Sequence, residues 1–165
     1  SKRLCMQFWD NKGVILAFFC NWAPYRCYMD LCQSEASLPQ AIYPIKAMCA
    51  GRVDPAMVLF AFERGAEGVM VLGCKEKECR YGPGPAQADK MGTSIRGLMH
   101  VVGLEPSRFS KLTFSFDEKN RLFEEMNAFA EKISELGRSP FASALEGLKP
   151  GRSQGKEQGN FLGSK

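Results

Sequence analysis

The chain has 165 residues, of which 45% are hydrophobic and 24% charged, and its formal net charge is +4. This fits one soluble domain with a sizeable core, and a mild positive charge not gathered into one stripe gives no sign of nucleic-acid binding. No apolar run approaches the roughly 20 residues that span a bilayer. The opening SKRLCMQFWDNK has no apolar stretch before a small-residue cleavage site, so a cytoplasmic protein is expected.

After a short N-terminal arm, residues 1–12, the run Val14–Phe19 reads as a strand covered on both faces. Pro24 opens a helix whose apolar face is read as Tyr25, Tyr28, Met29 and Cys32. Ala41–Met48 reads as a second strand with Pro44 near its start. Asp54 and Pro55 form an N-cap and first-turn pair for a helix running to Arg64, with Gly65 as its stop. GVMVLG, Gly68–Gly73, is a third buried strand, followed by the charged loop CKEKECRYGPGP.

A helix from about Ala86 carries Ala88, Met91, Ile95, Leu98, Met99 and Val102 on one side and ends at Gly103. KLTFSF, Lys111–Phe116, alternates as an edge strand does. Asp117 or Glu118 starts an amphipathic helix with Leu122, Phe123, Met126, Phe129, Ile133 and Leu136 inward, ending at Gly137. From Arg138 the order signal fades and a flexible tail, 138–165, is expected. Strand–helix alternation over 1–137 predicts a single α/β domain. Its open, mainly parallel four-stranded sheet carries helices on both faces, flavodoxin-like or Rossmann-like, in strand order 2-1-3-4.

Seven cysteines are a high density for this length. Cys20, Cys49 and Cys74 follow the first, second and third predicted strands, and Cys79 lies five residues past Cys74. In an open parallel sheet, ligands bind beyond the carboxyl ends of the strands, and neighbouring strands are about 4.8 Å apart. Four thiolates at one place suit a zinc ion or an iron–sulfur cluster. Ordinary buried cysteines fit the spacing as well.

The elements CNWxxY at Cys20–Tyr25, CAGRVDP at Cys49–Pro55, AFERGAEGVMVLGC at Ala61–Cys74, Cys79, and GLEPSRFSKLTFS resemble the iron–sulfur (delta) subunit of methyl-viologen-reducing hydrogenase. The resemblance covers about residues 13–137. It implies an electron-transfer subunit with a [2Fe–2S] cluster held by Cys20, Cys49, Cys74 and Cys79. Such a subunit relays single electrons between an oxidoreductase partner, such as a hydrogenase or formate dehydrogenase, and a heterodisulfide-reductase-type flavoprotein in an anaerobic complex. It performs no substrate chemistry of its own.

Two departures from the family pattern stand out. Ala23 occupies the second cysteine position of the usual CNWC, and GCKEKECR replaces GCHPGDCH, with Lys75 and Arg80 where histidines belong. If Ala23 replaces a ligand, Cys27, one helical turn further on, is the candidate substitute. The alternative is a structural adaptor that has kept the fold and lost the cofactor. A flavin binder or a zinc protein is the weaker third reading.

Lys75 and Arg80 add positive charge beside the site, which raises a reduction potential. The KEKE run between Cys74 and Cys79 offers a docking rim for a redox partner. Trp22 and Tyr25 are candidates for shielding a cluster or docking a partner. Cys32 is read as core, Cys27 as lying off the apolar face, and the lone His100 as a solvated side chain.

Overall fold

A computed structural model describes residues 13–34 and 36–147. Strands β1 (Ile15–Cys20), β2 (Ile42–Ala47), β3 (Gly68–Cys74) and β4 (Phe109–Phe114) form one sheet in the order β2-β1-β3-β4, with every neighbouring pair parallel. This is the α/β sheet and strand order expected from the sequence. The helices are α1 (Ala23–Gln33), α2 (Pro55–Glu63), α3 (Gly84–Val101), α4 (Lys119–Leu136) and α5 (Pro140–Gly147).

Alternation along each strand sends side chains to two separate cores. On one face Phe18, Cys20, Val69 and Val71 meet Val58 and Phe62 of α2 and Met91, Ile95 and Met99 of α3. On the other, Ile15, Ala17, Phe19, Met70 and Leu72 meet Cys27 and Leu31 of α1 and Leu122, Met126, Phe129 and Ile133 of α4. All seven residues of β3 are buried, as a central strand requires. The chain reverses its winding between β1 and β3, so the topological switch point lies at their carboxyl ends.

Local sequence explains most boundaries. Asp54 caps α2 by accepting from Met57 N at 2.9 Å, with Pro55 in the first turn. Gly65, Gly103 and Gly137 take positive φ just after the helices they were expected to end. Pro44 sits inside β2, tolerated because β2 is an edge strand.

Four expectations shift. Leu98 and Val102, read as lying on the apolar side of α3, are exposed. β4 begins and ends two residues earlier than the alternation suggested, because a 3-10 turn at Pro106–Arg108 delivers Phe109 directly into the sheet. The buried face of α1 is Ala23, Pro24, Cys27 and Leu31, rotated from the predicted one, so Cys27 is core and Cys32 is exposed. The segment after Arg138 opens with α5, capped by the Ser139 hydroxyl, which accepts from Ala142 N at 3.2 Å. The arm at 1–12 and the tail from 148 lie outside the described residues.

A buried ion pair at the amino end of the sheet holds that segment. Glu67 and Arg108 are 2% and 3% exposed, and Arg108 Nη1 lies 3.3 Å from Glu67 Oε2. Arg108 also donates to the carbonyls of Glu67, Leu136 and Gly137. Ser139 N donates to Glu67 Oε2, and Arg138 Nε lies 3.3 Å from Glu67 Oε1. Two charges taken out of water are tolerable only with this density of partners.

Candidate metal centre

Four segments deliver cysteines to one place at the carboxyl end of the sheet. Cys20 is the last residue of β1 and Cys74 the last of β3. These strands run in register from Ile15 opposite Gly68 to Phe19 opposite Leu72, which leaves Cys74 one residue past the position level with Cys20, and at this strand end both side chains join the same core. The Cys74 thiol donates to the Cys20 sulfur across 3.4 Å.

Cys49 stands two residues beyond β2, just before the 3-10 turn Ala50–Arg52, and Cys79 follows the turn Glu76–Glu78. Both meet the first residue of α3. A Cβ on Gly84 would lie 2.5 Å from Cys49 Sγ and 2.8 Å from Cys79 Sγ, so only glycine leaves room for both. Gly51 makes the reciprocal allowance, since a Cβ there would fall 2.7 Å from the Gly84 carbonyl oxygen.

The electrostatics divide the thiols. The Cys20 pKa is brought down to about 6, chiefly by the bond from Cys74, with backbone N–H groups of Trp22, Ala50 and Cys74 helping and burial opposing. Cys74 is raised, first because its proton serves that same bond and then by burial. Burial pushes Cys49 up, while the Gly51 N–H works the other way. Cys20 and Cys79 both act electrostatically on Cys49 and on Cys74, so the four sulfurs form one group. The amino terminus of the 18-residue α3 abuts two of them and adds its positive dipole end, which favours thiolate.

Among the described residues, no three His, Cys, Asp or Glu side chains are gathered so as to hold a single metal ion. The arrangement is instead two pairs, Cys20 with Cys74 and Cys49 with Cys79. A four-cysteine donor set has the chemistry that iron–sulfur clusters and zinc ions both use.

The remaining predicted residues divide. Trp22 packs against the core that contains Cys20 and Cys74, and the Arg80 guanidinium lies 4.7 Å above its ring. Lys75 pairs with Glu118 at 3.0 Å, which offsets part of the positive charge expected beside the site. Tyr25 belongs to the opposite core, with Lys46 4.9 Å above its ring, so it does not flank the sulfurs. Cys27 also lies on that opposite face, fully buried, with its thiol 3.3 Å from the carbonyl oxygens of Ser115 and Phe116. It is not brought to the other four.

Ala23 has no exposed surface and shares the core of Cys20 and Cys74, and its N–H favours the Cys74 thiolate. A thiol at that position would therefore join the group. His100 is exposed. A groove of about 920 Å³ opens beside Cys49 and Gly84, walled by Met48, Met57 and Tyr81 and bordered by Lys46 and Arg52.

Gly84 was not singled out by sequence reasoning. The signal was present: a glycine ahead of a proline at a helix start, five residues past Cys79, marks a place where another group comes close to the backbone.

Comparison with known proteins adds the lineage of this arrangement. The chain is 37% identical over 123 residues to one subunit of the ferredoxin/F(420)H(2)-dependent CoB-CoM heterodisulfide reductase of Methanosarcina acetivorans, covering 74% of this chain and 16% of that protein. It is 34% identical over 132 residues to one subunit of the ferredoxin:CoB-CoM heterodisulfide reductase of Methanosarcina mazei, covering 80% of this chain and again 16% of the relative. The match thus spans about a sixth of those two proteins. A relative of similar size is the iron-sulfur subunit of the vhc F420-non-reducing hydrogenase of Methanococcus voltae, 30% identical over 129 residues, 78% of this chain and 88% of that one. Residues 15–137, which include all four converging cysteines and every strand, match the methyl-viologen-reducing hydrogenase delta subunit, and the chain belongs to that family.

Proposed function

We propose that this chain is an iron–sulfur electron-transfer subunit. It would hold a [2Fe–2S] cluster on Cys20, Cys49, Cys74 and Cys79 and relay electrons between an upstream oxidoreductase and a heterodisulfide-reductase-like flavoprotein. The observation that carries this reading is the convergence of four cysteines from four segments as two pairs at the switch point of the sheet. The names of the relatives support it too, one being an iron-sulfur subunit and two being heterodisulfide reductase subunits in which a matching segment forms part of a longer chain.

When bound, such a cluster supplies one-electron storage at nearly fixed geometry. The chain's own residues do the rest. The carboxyl ends of β1 and β3 hold Cys20 and Cys74 in contact, and Gly84 and Gly51 let the start of α3 approach Cys49 and Cys79. N–H groups of Trp22, Ala23, Ala50 and Gly51 stabilise thiolate sulfur. The apolar groove beside Cys49, bordered by Lys46 and Arg52, gives a partner a place to come close.

Ala23 supports one competing reading, a cofactor-free adaptor in the same kind of complex, because the family's additional cysteine is missing there. Iron and acid-labile sulfide per chain on anaerobically purified protein, with an EPR spectrum after dithionite reduction, separate the two. Two irons, two sulfides and a reduced [2Fe–2S] signal that is lost in C20S, C49S, C74S and C79S uphold the electron carrier. A native complex that assembles without iron in this chain overturns it in favour of the adaptor.

A further inference from the structure

Trp22 stands between the end of β1 and the loop that carries Cys79. It lies two residues past Cys20, at the N-cap of α1, and its side chain packs against the core formed in part by Cys20 and Cys74, where Cys79 also packs. Arg80, the residue after Cys79, lies over the ring at 4.7 Å. The indole therefore links the end of β1 to the loop that carries Cys79, with a guanidinium on one of its faces.

Its one polar side-chain atom has nothing to bond. Trp22 Nε1 is buried and lacks a hydrogen-bond partner among the described residues. Two other buried atoms lack a hydrogen bond among the described residues, Glu67 Oε1 and Arg108 Nε, but both belong to the ion-paired cluster at the far end of the sheet, where Arg138 faces Glu67 Oε1 and Arg108 pairs with Glu67 Oε2. An indole N–H can only donate, and a buried donor left unmade is expensive enough to need an explanation. Trp22 packs against the core that includes Cys20 and Cys74, where Cys79 also packs, so the acceptors that a loaded site would supply there are sulfurs: thiolates, and the sulfides that a cluster brings.

We propose that Trp22 is a positioning residue that donates its indole N–H to a sulfur of the bound cluster, and that Arg80 holds the ring in place by stacking. This rests on the electron-carrier reading given above. A hydrogen bond to sulfur stabilises the reduced, more negative state more than the oxidised one, so the contact raises the reduction potential. The stacked guanidinium acts in the same direction through its charge, but without a bond to sulfur.

The test uses the full chain, purified anaerobically, carrying indole-15N tryptophan in a W9F background, so that Trp22 is the sole tryptophan of the two in the sequence. Iron and sulfide are counted first. The reduced protein is then examined by pulsed EPR for 15N coupling and for an exchangeable proton in D2O, and its midpoint potential is measured by redox titration. The expected result is a 15N coupling and one exchangeable proton coupling in the labelled protein. Both should be lost in W22F together with a fall in midpoint potential, whereas R80Q lowers the potential and keeps a 15N coupling. An iron-loaded protein with no 15N coupling overturns the proposal, whether or not W22F retains iron. A W22F protein with unchanged potential and unchanged exchangeable proton overturns it as well. An iron-free starting protein instead refutes the electron-carrier reading, and this inference falls with it.

Discussion

Replacing Gly84 by alanine tests the geometry of the cysteine site with a single methyl group. The new Cβ would sit 2.5 Å from Cys49 Sγ and 2.8 Å from Cys79 Sγ, where nonbonded heavy atoms normally keep about 3.5–4.0 Å. The helix start has little freedom to withdraw, because the Gly84 backbone is itself packed on Gly51. Overpacking of this kind costs about 1–3 kcal/mol, while alanine in place of glycine in a helix gains at most about 1 kcal/mol.

The net expectation for G84A is a loss of order 1 kcal/mol, or displacement of the two thiols with loss of iron. Gly97 on the same helix provides the internal control. It is exposed, with nothing within 4 Å of an added Cβ, so G97A should gain roughly 0.5–1 kcal/mol. Urea unfolding of both variants, with iron per chain measured alongside, gives opposite signs on one helix. A G84A protein with an unfolding midpoint at or above wild type and undiminished iron would refute the close approach of α3 to the sulfurs.

Three further outcomes follow from the same structure. C27A should keep its full iron content while losing about 1 kcal/mol from a buried thiol hydrogen bond, since Cys27 bonds to carbonyls on the other face of the sheet; iron loss in C27A would make it a ligand after all. R108A leaves Glu67 buried without its main partner and should cost about 3–5 kcal/mol by urea denaturation, and a loss under about 1 kcal/mol would show that this buried pair contributes little. The Glu118 carboxyl is held below its usual value, first by the Ser115 N–H and then by Lys75 and Arg121. Its contribution is therefore present above the ordinary glutamate value of about 4.3 and is lost as pH falls through the lowered folded value. The stability difference between wild type and E118Q should narrow across that acid window, and a constant difference would contradict the assignment.

Much of this was legible because the residues obey local rules. Asp54 and Pro55 announce a helix start, the apolar runs Val14–Phe19 and Gly68–Gly73 announce buried strands, and Ala41–Met48 announces a strand that lies exposed at the sheet edge. The positions of Cys20, Cys49 and Cys74 at the ends of those runs then follow from parallel topology alone. The face of α1 was misread because Tyr25, Tyr28, Met29 and Cys32 form as regular an apolar stripe as Ala23, Pro24, Cys27 and Leu31. Small side chains win there because they let α1 lie close against β1 and α4, and composition does not reveal that preference. α5 was missed because its eight residues are too few for a periodic signal and its anchor, Glu67, lies far away in sequence. The crowding at Gly84 depends also on Cys49, a distant residue that the local glycine–proline signal does not identify.

Metal-binding peptides with clustered cysteines can seize their metal before they have any other structure. This chain has divided its donors differently, placing Cys20, Cys49, Cys74 and Cys79 in separate segments that become neighbours only after β1 has paired with β2 and β3 and the start of α3 has settled on Gly51. Parallel pairing of this kind joins residues far apart in sequence and is among the slower steps a chain takes. In the proposed function the fold would therefore come first and the metal second. Any system that loads this chain would meet a finished pocket and deliver its cargo into it, and a fragment lacking β3 or α3 would have nothing to receive it with.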